Sequence, residues 1–430
     1  MSDIYNAAAE PEDNESEPTV APYDATDSDN LDTIPTSTTL PGQAMTIDFA
    51  ARAEHAKTKF RIIDPDAQIR PATLNDIIGQ VEIKDQLRVA IRAARGQSRA
   101  LDHTLLTGPP GLGKTTIASV IAHSMDHHLL YLSGPAVGPN EMMSLIAKLI
   151  TRGPGENIVV FIDEIHKMHK DAQTIALPLM EDFRHEELIL ETPFTLLGAT
   201  TDPSKLDRPL RDRFGMTFHL DFYPDDDIAN IIRRTYGLMT STPISEVRRM
   251  CEPVARWMQP GPNQPRKLMA IPTEFAAAID MLAARARGVP RIANRLMRRT
   301  LDYMYDEADN DDHRPTLITA DGDELQRESN FAPLTPAIVR RTMRALSIDV
   351  NGLEKIDRQY LEVLAIRYKG RPAGVKAIAA ALGESSATLE ETVEPNLVRR
   401  GFINRTSTGR QVTPEGMTIA VKQHTNSTDF

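Results

Sequence analysis

The stretch that decides the fold is Gly108-Pro109-Pro110-Gly111-Leu112-Gly113-Lys114-Thr115. Its spacing is G-x-x-x-x-G-K-[ST], a loop that wraps phosphate. Glycines let successive backbone N–H groups turn inward, and the helix that follows adds its positive end. The lysine reaches the outer phosphates of ATP, and the hydroxyl serves Mg²⁺. The flanks agree: Leu105-Leu106 lead in as a buried strand, and Ile117, Val120, Ile121 and Met125 follow at helical spacing. A Gly/Pro turn before an ordinary helix would not need this strand–loop–helix order.

Outward from the loop, strands alternate with helices. Strands are predicted at 102–107, 128–132, 158–162, 194–198 and 216–222, with helices at 137–151, 171–183 and 203–214. Ile158-Val159-Val160-Phe161-Ile162 is apolar on both faces, as a central strand of a covered parallel sheet must be. The implied fold is an α/β core with a parallel sheet. Asp163-Glu164 end that central strand, so they face the crevice beyond the sheet's C-terminal edge. There Asp163 is suited to hold Mg²⁺ and Glu164 to draw a proton from water. Asp163-Glu164-Ile165-His166-Lys167-Met168-His169 could instead form a metal cluster, but no further His or Cys stands at zinc spacing.

Three more positions carry chemistry. Thr200-Thr201 end the fourth strand, where a hydroxyl can reach the γ-phosphate or the attacking water, or simply close a turn. Arg211 and Arg213 lie in Pro209-Leu210-Arg211-Asp212-Arg213-Phe214-Gly215. Phosphoryl transfer needs positive charge where the γ-phosphate develops negative charge, and a neighbouring subunit's arginine can supply it. Surface pairing with Asp207 or Asp212 is the plainer use. Arg291 opens an arginine-rich helix predicted over 288–306 and could reach the same nucleotide from its own chain.

After Tyr223-Pro224 the pattern is helical. Two stretches, 239–273 and 309–335, interrupt it and read as surface insertions or long loops. From about residue 350 the order is helix (353–368), small-residue helix (375–382), helix (386–400), then a tight turn between Phe402-Ile403-Asn404-Arg405 and Arg410-Gln411-Val412-Thr413. That is a winged helix-turn-helix. Its charge is only mildly basic, with 11 Lys and Arg against 9 Asp and Glu over 350–430.

The net charge of −11 resides in the N-terminus. Residues 1–45 hold ten acids and no Lys or Arg, and without those ten charges the remainder carries −1. The body is near neutral, so basic surfaces remain available to DNA. The segment before residue 50 is too poor in large apolar residues to offset its ordering entropy, and disorder is expected. One cysteine, Cys251, among 430 residues permits no internal disulfide. With no leader-like or membrane-length apolar run, the expected location is the cytoplasm.

In order and spacing, the P-loop, Asp163-Glu164-Ile165-His166, Gly198-Ala199-Thr200-Thr201, Pro209 to Gly215 and Gly288-Val289-Pro290-Arg291-Ile292-Ala293-Asn294-Arg295-Leu296 resemble the RuvB family. Glu394-Pro395-Asn396-Leu397 and Gly401 to Arg410 also resemble that family's last domain. The resemblance implies an AAA+ ATPase that drives branch migration of Holliday junctions in recombination and repair. It implies a large ATPase domain over 51–221, an all-α small lid domain over 222–346, and a winged-helix domain over 347–425, with tails at 1–50 and 426–430. It implies ATP contacts at Ile69, Arg70, Gly111, Leu112, Gly113, Lys114, Thr115, Thr116, Glu181, Asp182, Phe183, Arg213, Tyr223 and Arg291. Thr115 and Asp163 would serve Mg²⁺, and Arg405 and Arg410 the DNA backbone. A homo-hexamer acting on four-way junction or duplex DNA is implied.

The sequence departs from the family in its acidic N-terminal segment and in the stretches 239–273 and 309–335, which have no usual counterpart, and at three further points. Only Arg184 to Pro193 fill the place of the hairpin that binds RuvA, which puts a RuvA-like partner in question. Asp202 and Thr408 stand where the family carries arginine. Two other readings fit the core motifs: a clamp-loader-like or initiator-like ATPase that remodels a protein on DNA, and a nucleotide-gated DNA-binding switch. Lys114, Asp163, Glu164 and the paired arginines speak against the switch.

Overall fold

Five parallel strands form the centre of the molecule in the order β2-β3-β6-β1-β7. They are β1 (Thr104–Thr107), β2 (His128–Ser133), β3 (Ile158–Asp163), β6 (Thr195–Thr200) and β7 (Met216–His219). A computed structural model describes residues 69–152, 157–185, 187–190, 192–258, 267–309, 317–318, 324–325 and 332–425. The expected acidic tail lies outside the described residues.

The strand sequences explain the layering. Side chains alternate across a strand, so Val159 and Phe161 enter one core while Val160 and Ile162 enter the other. The second core is closed by α3 (Pro139–Thr151) and α4 (Lys170–Glu181). The first is closed by α1 (Val81–Gly96) and α2 (Lys114–Met125), and it continues into the helical domain through Ile228, Ile232, Ile279 and Leu296. One apolar core therefore joins the sheet to the lid.

The lid comprises α5 (Asp225–Thr240), α6 (Ile244–Met250), α7 (Glu274–Arg285), α8 (Pro290–Asp309) and α9 (Pro336–Ala345). The stretch 239–273 is not a long loop. After α6 it builds an antiparallel hairpin, Val254–Met258 with Lys267–Ile271, in which five residues pair on each arm. Both arms carry β-favouring residues, and the prolines at 260, 262 and 265 fall between them. Within 309–335 the described residues include a two-residue pair, Leu317–Ile318 with Glu324–Leu325. The helix predicted over 203–214 is also corrected. Extended backbone at Leu206 (ψ 128°) separates a 3₁₀ turn, Pro203–Lys205, from one helical turn, Arg208–Arg211.

A third core, built on Tyr360, Leu364, Ile378, Leu389, Leu397 and Ile403, organises the last domain. It contains α10 (Lys355–Glu362) with a π turn to Arg367, α11 (Val375–Leu382), and a helical run over 386–399 that ends as α12 (Glu394–Arg399). The wing follows as β8 (Ile403–Thr406) and β9 (Gly409–Val412), then α13 (Pro414–Thr425). Ala373 bridges to Arg410 and adds a third edge to the wing. Gly409 (φ +140°) is required there, because a Cβ would stand 2.4 Å from the Ala373 carbonyl oxygen. This is the winged helix-turn-helix the sequence predicts. Among the described residues no helix is long and apolar enough to cross a membrane.

Candidate active site

Because β1, β3 and β6 are parallel neighbours, their C-terminal ends share one rim. The P-loop leaves β1 there, Asp163-Glu164 leave β3, and Thr200-Thr201 leave β6. A cavity of about 210 Å³ opens on this rim. Ile69, Arg70, Gly111, Leu112, Gly113, Lys114, Thr115, Thr116, Asp163 and Glu164 line it from the core, and Tyr223, Arg234, Thr235, Arg291 and Asn294 line it from the lid side.

The loop is shaped before any ligand arrives. Lys114 is buried and donates from Nζ to the carbonyls of Gly108 (2.7 Å) and Pro109 (2.9 Å). Burial lowers its pKa below the usual lysine range, and Glu164 and Asp163 oppose that shift. Gly113 (φ 105°) precedes α2 without a side-chain cap, leaving the helix's first N–H groups for an anion. Gly111 (φ +80°) lies against the lid, where a Cβ would meet Val289 at 2.9 Å and Arg291 at 3.1 Å. The Arg291 N–H donates to the Gly111 carbonyl at 3.3 Å, so loop and lid touch through backbone as well. The Tyr223 hydroxyl donates to the Leu112 carbonyl at 3.2 Å, and burial pushes its pKa up to about 12.

The two acids have different surroundings. Asp163 Oδ2 accepts from the exposed Tyr131 hydroxyl at 3.2 Å. Asp163 and Thr115 offer hard oxygen ligands in the same cavity, a donor set that fits Mg²⁺. Glu164 Oε2 accepts from Thr201 Oγ1 at 2.9 Å and from the Thr201 N–H at 3.3 Å. His166 Nδ1 stands 3.3 Å from the same oxygen and 2.8 Å from Thr200 Oγ1. Thus Thr201 does not line the cavity; it holds Glu164.

Five predicted contacts lie apart from this cavity. Glu181, Asp182, Phe183, Arg211 and Arg213 are not among its lining. Arg213 pairs with Glu181 at 2.6 Å rather than with Asp207 or Asp212, and Asp182 pairs with Arg184 at 3.3 Å. Phe183 packs on Phe194 and His103, while Arg211 is exposed. The cause is position: the first three residues end or follow α4, and both arginines stand just before β7, so all five lie toward the sheet's N-terminal edge, opposite the P-loop rim.

Sequence reasoning missed Arg234. From α5 it donates to the carbonyls of Ile69 and Arg70, pinning the start of the core to the lid. No motif marks it, because its partners are backbone atoms far away in the chain. Asn294 lies within the Gly288 to Leu296 motif, yet its bond from Thr235 Oγ1 at 2.8 Å joins residues 59 apart, which no local spacing announces.

At the wing, Arg405 and Arg410 converge on one buried carboxylate. Glu394 is 0% exposed. Arg405 reaches its Oε2 from Nε and Nη2, both at 2.8 Å, and stays 49% exposed. Arg410 donates to Oε1 at 2.9 Å and to Glu390 at 2.5 Å, and is 18% exposed. The Tyr360 hydroxyl also donates to Glu394 Oε1, at 2.8 Å. The two arginines expected to act alike are therefore unequal: Arg410 is spent on two carboxylates. β4 (Arg184–His185) and β5 (Leu188–Ile189) form a hairpin with two residues per arm, and Ile189 is 72% exposed.

Comparison with known proteins gives matches along most of the chain. The model of the Holliday junction DNA helicase RuvB P-loop domain matches residues 69–220. That of the RuvB AAA lid domain matches 264–315, and that of the RuvB C-terminal winged helix domain matches 350–420. The Holliday junction branch migration complex subunit RuvB of a Nocardioides species is 37% identical over 360 residues, covering 81% of this chain and 84% of that protein. The Thermotoga maritima RuvB Holliday junction branch migration motor is structurally similar, with a TM-score of 0.63 and 34% identity over 82% of this chain and 97% of that one. A variant of the same Thermotoga maritima protein gives a TM-score of 0.63 at 34% identity, over 84% and 99% of the two chains.

Proposed function

The chain belongs to the RuvB family, and from that premise we propose that it is an ATP-hydrolysing motor that drives branch migration of Holliday junctions. The observation that carries the chemistry is the single rim on which Lys114, Asp163 and Glu164 meet, closed by Arg291 from the lid. ATP enters this cavity, its phosphates received by the P-loop N–H groups and Lys114. Thr115 and Asp163 would hold Mg²⁺, which would offset phosphate charge. Glu164, aimed by Thr201 and His166, takes the proton of the attacking water. Arg291 contributes positive charge from the same chain.

Glu181, Asp182 and Arg213 serve a different nucleotide. Since they lie off their own cavity, their place is at the nucleotide of a neighbouring subunit in a ring, with Arg213 as the residue that meets the γ-phosphate in trans. This requires an oligomer, and a homo-hexamer is the form proposed. Arg405 approaches the DNA backbone, which positions the duplex without reading its sequence. The two-residue arms of the β4–β5 hairpin bury little apolar surface, so binding to RuvA through it is expected to be weak. Action on DNA suits the cytoplasm.

The test of this reading is ATP turnover by the full chain, measured with light scattering on the same sample. A Mg²⁺-dependent ATPase that assembles, and loses turnover in Lys114→Ala, is expected. Equal turnover in that variant would remove the cavity from the chemistry.

A further inference from the structure

Phe222 and Tyr223 are the last residues before the lid begins at Pro224-Asp225. Tyr223 touches both the core and the lid. Its hydroxyl donates to the P-loop carbonyl of Leu112 at 3.2 Å, and its N–H donates to the lid carbonyl of Gly288 at 2.9 Å. The third domain reaches this same joint. The Arg399 guanidinium, at the end of α12, stands 4.2 Å over the Phe222 ring, and its Nη2 donates to the Arg287 carbonyl at 2.7 Å.

The winged helix is attached in two distinct ways. One attachment involves the lid alone: Arg287 pairs with buried Asp357 at 2.6 Å, and Arg295 pairs with Glu354 at 2.8 Å. The other, Arg399 on Phe222, bridges the last domain to the joint between core and lid, and a rotation of the lid about this hinge would disturb it. A planar guanidinium over a ring is sensitive to such displacement, because its attraction needs both the stacking distance and the aligned plane. Arg399 also shares a helix with Glu394, which fixes Arg405 and Arg410. The route runs from Leu112 to Tyr223 by a hydrogen bond, to Phe222 along the chain, to Arg399 by the ring contact, and along α12 to Glu394 and the wing.

We propose that Arg399 is a positioning residue that couples the nucleotide cavity to the DNA-binding wing, reading the hinge through Phe222. The proposal rests on the cavity being the ATP site. Its test compares full-length wild type with Arg399→Ala, Phe222→Leu and the double variant. Three quantities are read: ATP turnover without DNA, duplex affinity, and base pairs migrated per ATP hydrolysed.

Each single variant should keep turnover and affinity within about twofold, while migration per ATP falls at least about fivefold, the lower end of typical coupling. The double variant should be no worse than Arg399→Ala, because the contact that Phe222→Leu weakens is already gone in it. Phe222→Leu, with an apolar side chain retained, carries the test if Arg399→Ala does not fold. Unchanged migration per ATP in the singles, or additive losses in the double, would overturn the coupling. A wild type with no ATP turnover would overturn the reading of the cavity, and the coupling with it.

Discussion

Thr201 holds Glu164 through both of its donors, the hydroxyl at 2.9 Å and the backbone N–H at 3.3 Å from one carboxylate oxygen. A general base needs a fixed direction as well as basicity. Thr201→Val keeps the shape and the N–H but removes the hydroxyl. Loss of one hydrogen bond to a charged group should lower kcat by roughly 10- to 100-fold while KM for ATP changes little. Glu164→Gln should bind ATP and stall altogether. Steady-state kinetics beside equilibrium nucleotide binding separate the two effects; a KM increase alone in Thr201→Val would move that residue to binding.

Arg213→Ala should reduce turnover by about 10³-fold or more if the guanidinium acts on a neighbour's nucleotide. Mixed with Lys114→Ala subunits it should regain activity, since a hybrid interface pairs an intact P-loop with an intact arginine. Titrating one variant into the other measures this. Absence of recovery at every ratio would place Arg213 in its own chain's chemistry or pass the role to Arg211.

The wing arginines should separate. Arg405, half exposed, should account for a phosphate contact: Arg405→Ala should weaken DNA binding equally across sequences and make the salt slope shallower by about one. Arg410→Ala leaves Glu394 to Arg405 and Tyr360 in a buried setting and should act chiefly on stability, by about 1.5–3 kcal/mol. DNA titrations at several salt concentrations and chemical denaturation distinguish these outcomes. A salt slope reduced equally by both variants would restore them as equivalent contacts.

His103 sets an acid limit on the core. It is buried between β6 and α4, accepting from the Leu196 N–H at 2.9 Å on Nδ1, with Nε2 at 3.1 Å from the Met180 carbonyl. Burial lowers its pKa from 6.5 to about 4. Between those values the unfolded chain carries a proton that the folded chain refuses, so stability should fall as pH drops through this window. The contribution is on the order of 3 kcal/mol. Urea midpoints from pH 7 to pH 4 should decline less steeply in His103→Gln than in wild type. Parallel slopes would show that other groups govern acid unfolding.

How much was legible in the sequence depends on separation along the chain. The P-loop and Asp163-Glu164 were readable because each is one short segment whose spacing is the chemistry. The sheet was readable because its central strands are apolar on both faces. The hold of Thr201 on Glu164 was not, since it exists only once β6 lies beside β3. Arg213 pairs with Glu181 and Arg410 with Glu394 for the same reason: a carboxylate brought near by the fold outcompetes the neighbours in sequence. The hairpin within 239–273 was hidden by prolines that mark its connection rather than its arms.

The central claim is that ATP turnover at this cavity moves DNA junctions. The direct measurement uses a synthetic four-way junction with homologous arms, ATP and Mg²⁺, with and without RuvA, and follows strand separation over time. The account predicts ATP-dependent branch migration by the wild type, little added by RuvA, and none in Lys114→Ala or Glu164→Gln. A junction that stays in place while wild-type protein hydrolyses ATP in its presence, with RuvA or without it, would contradict the account.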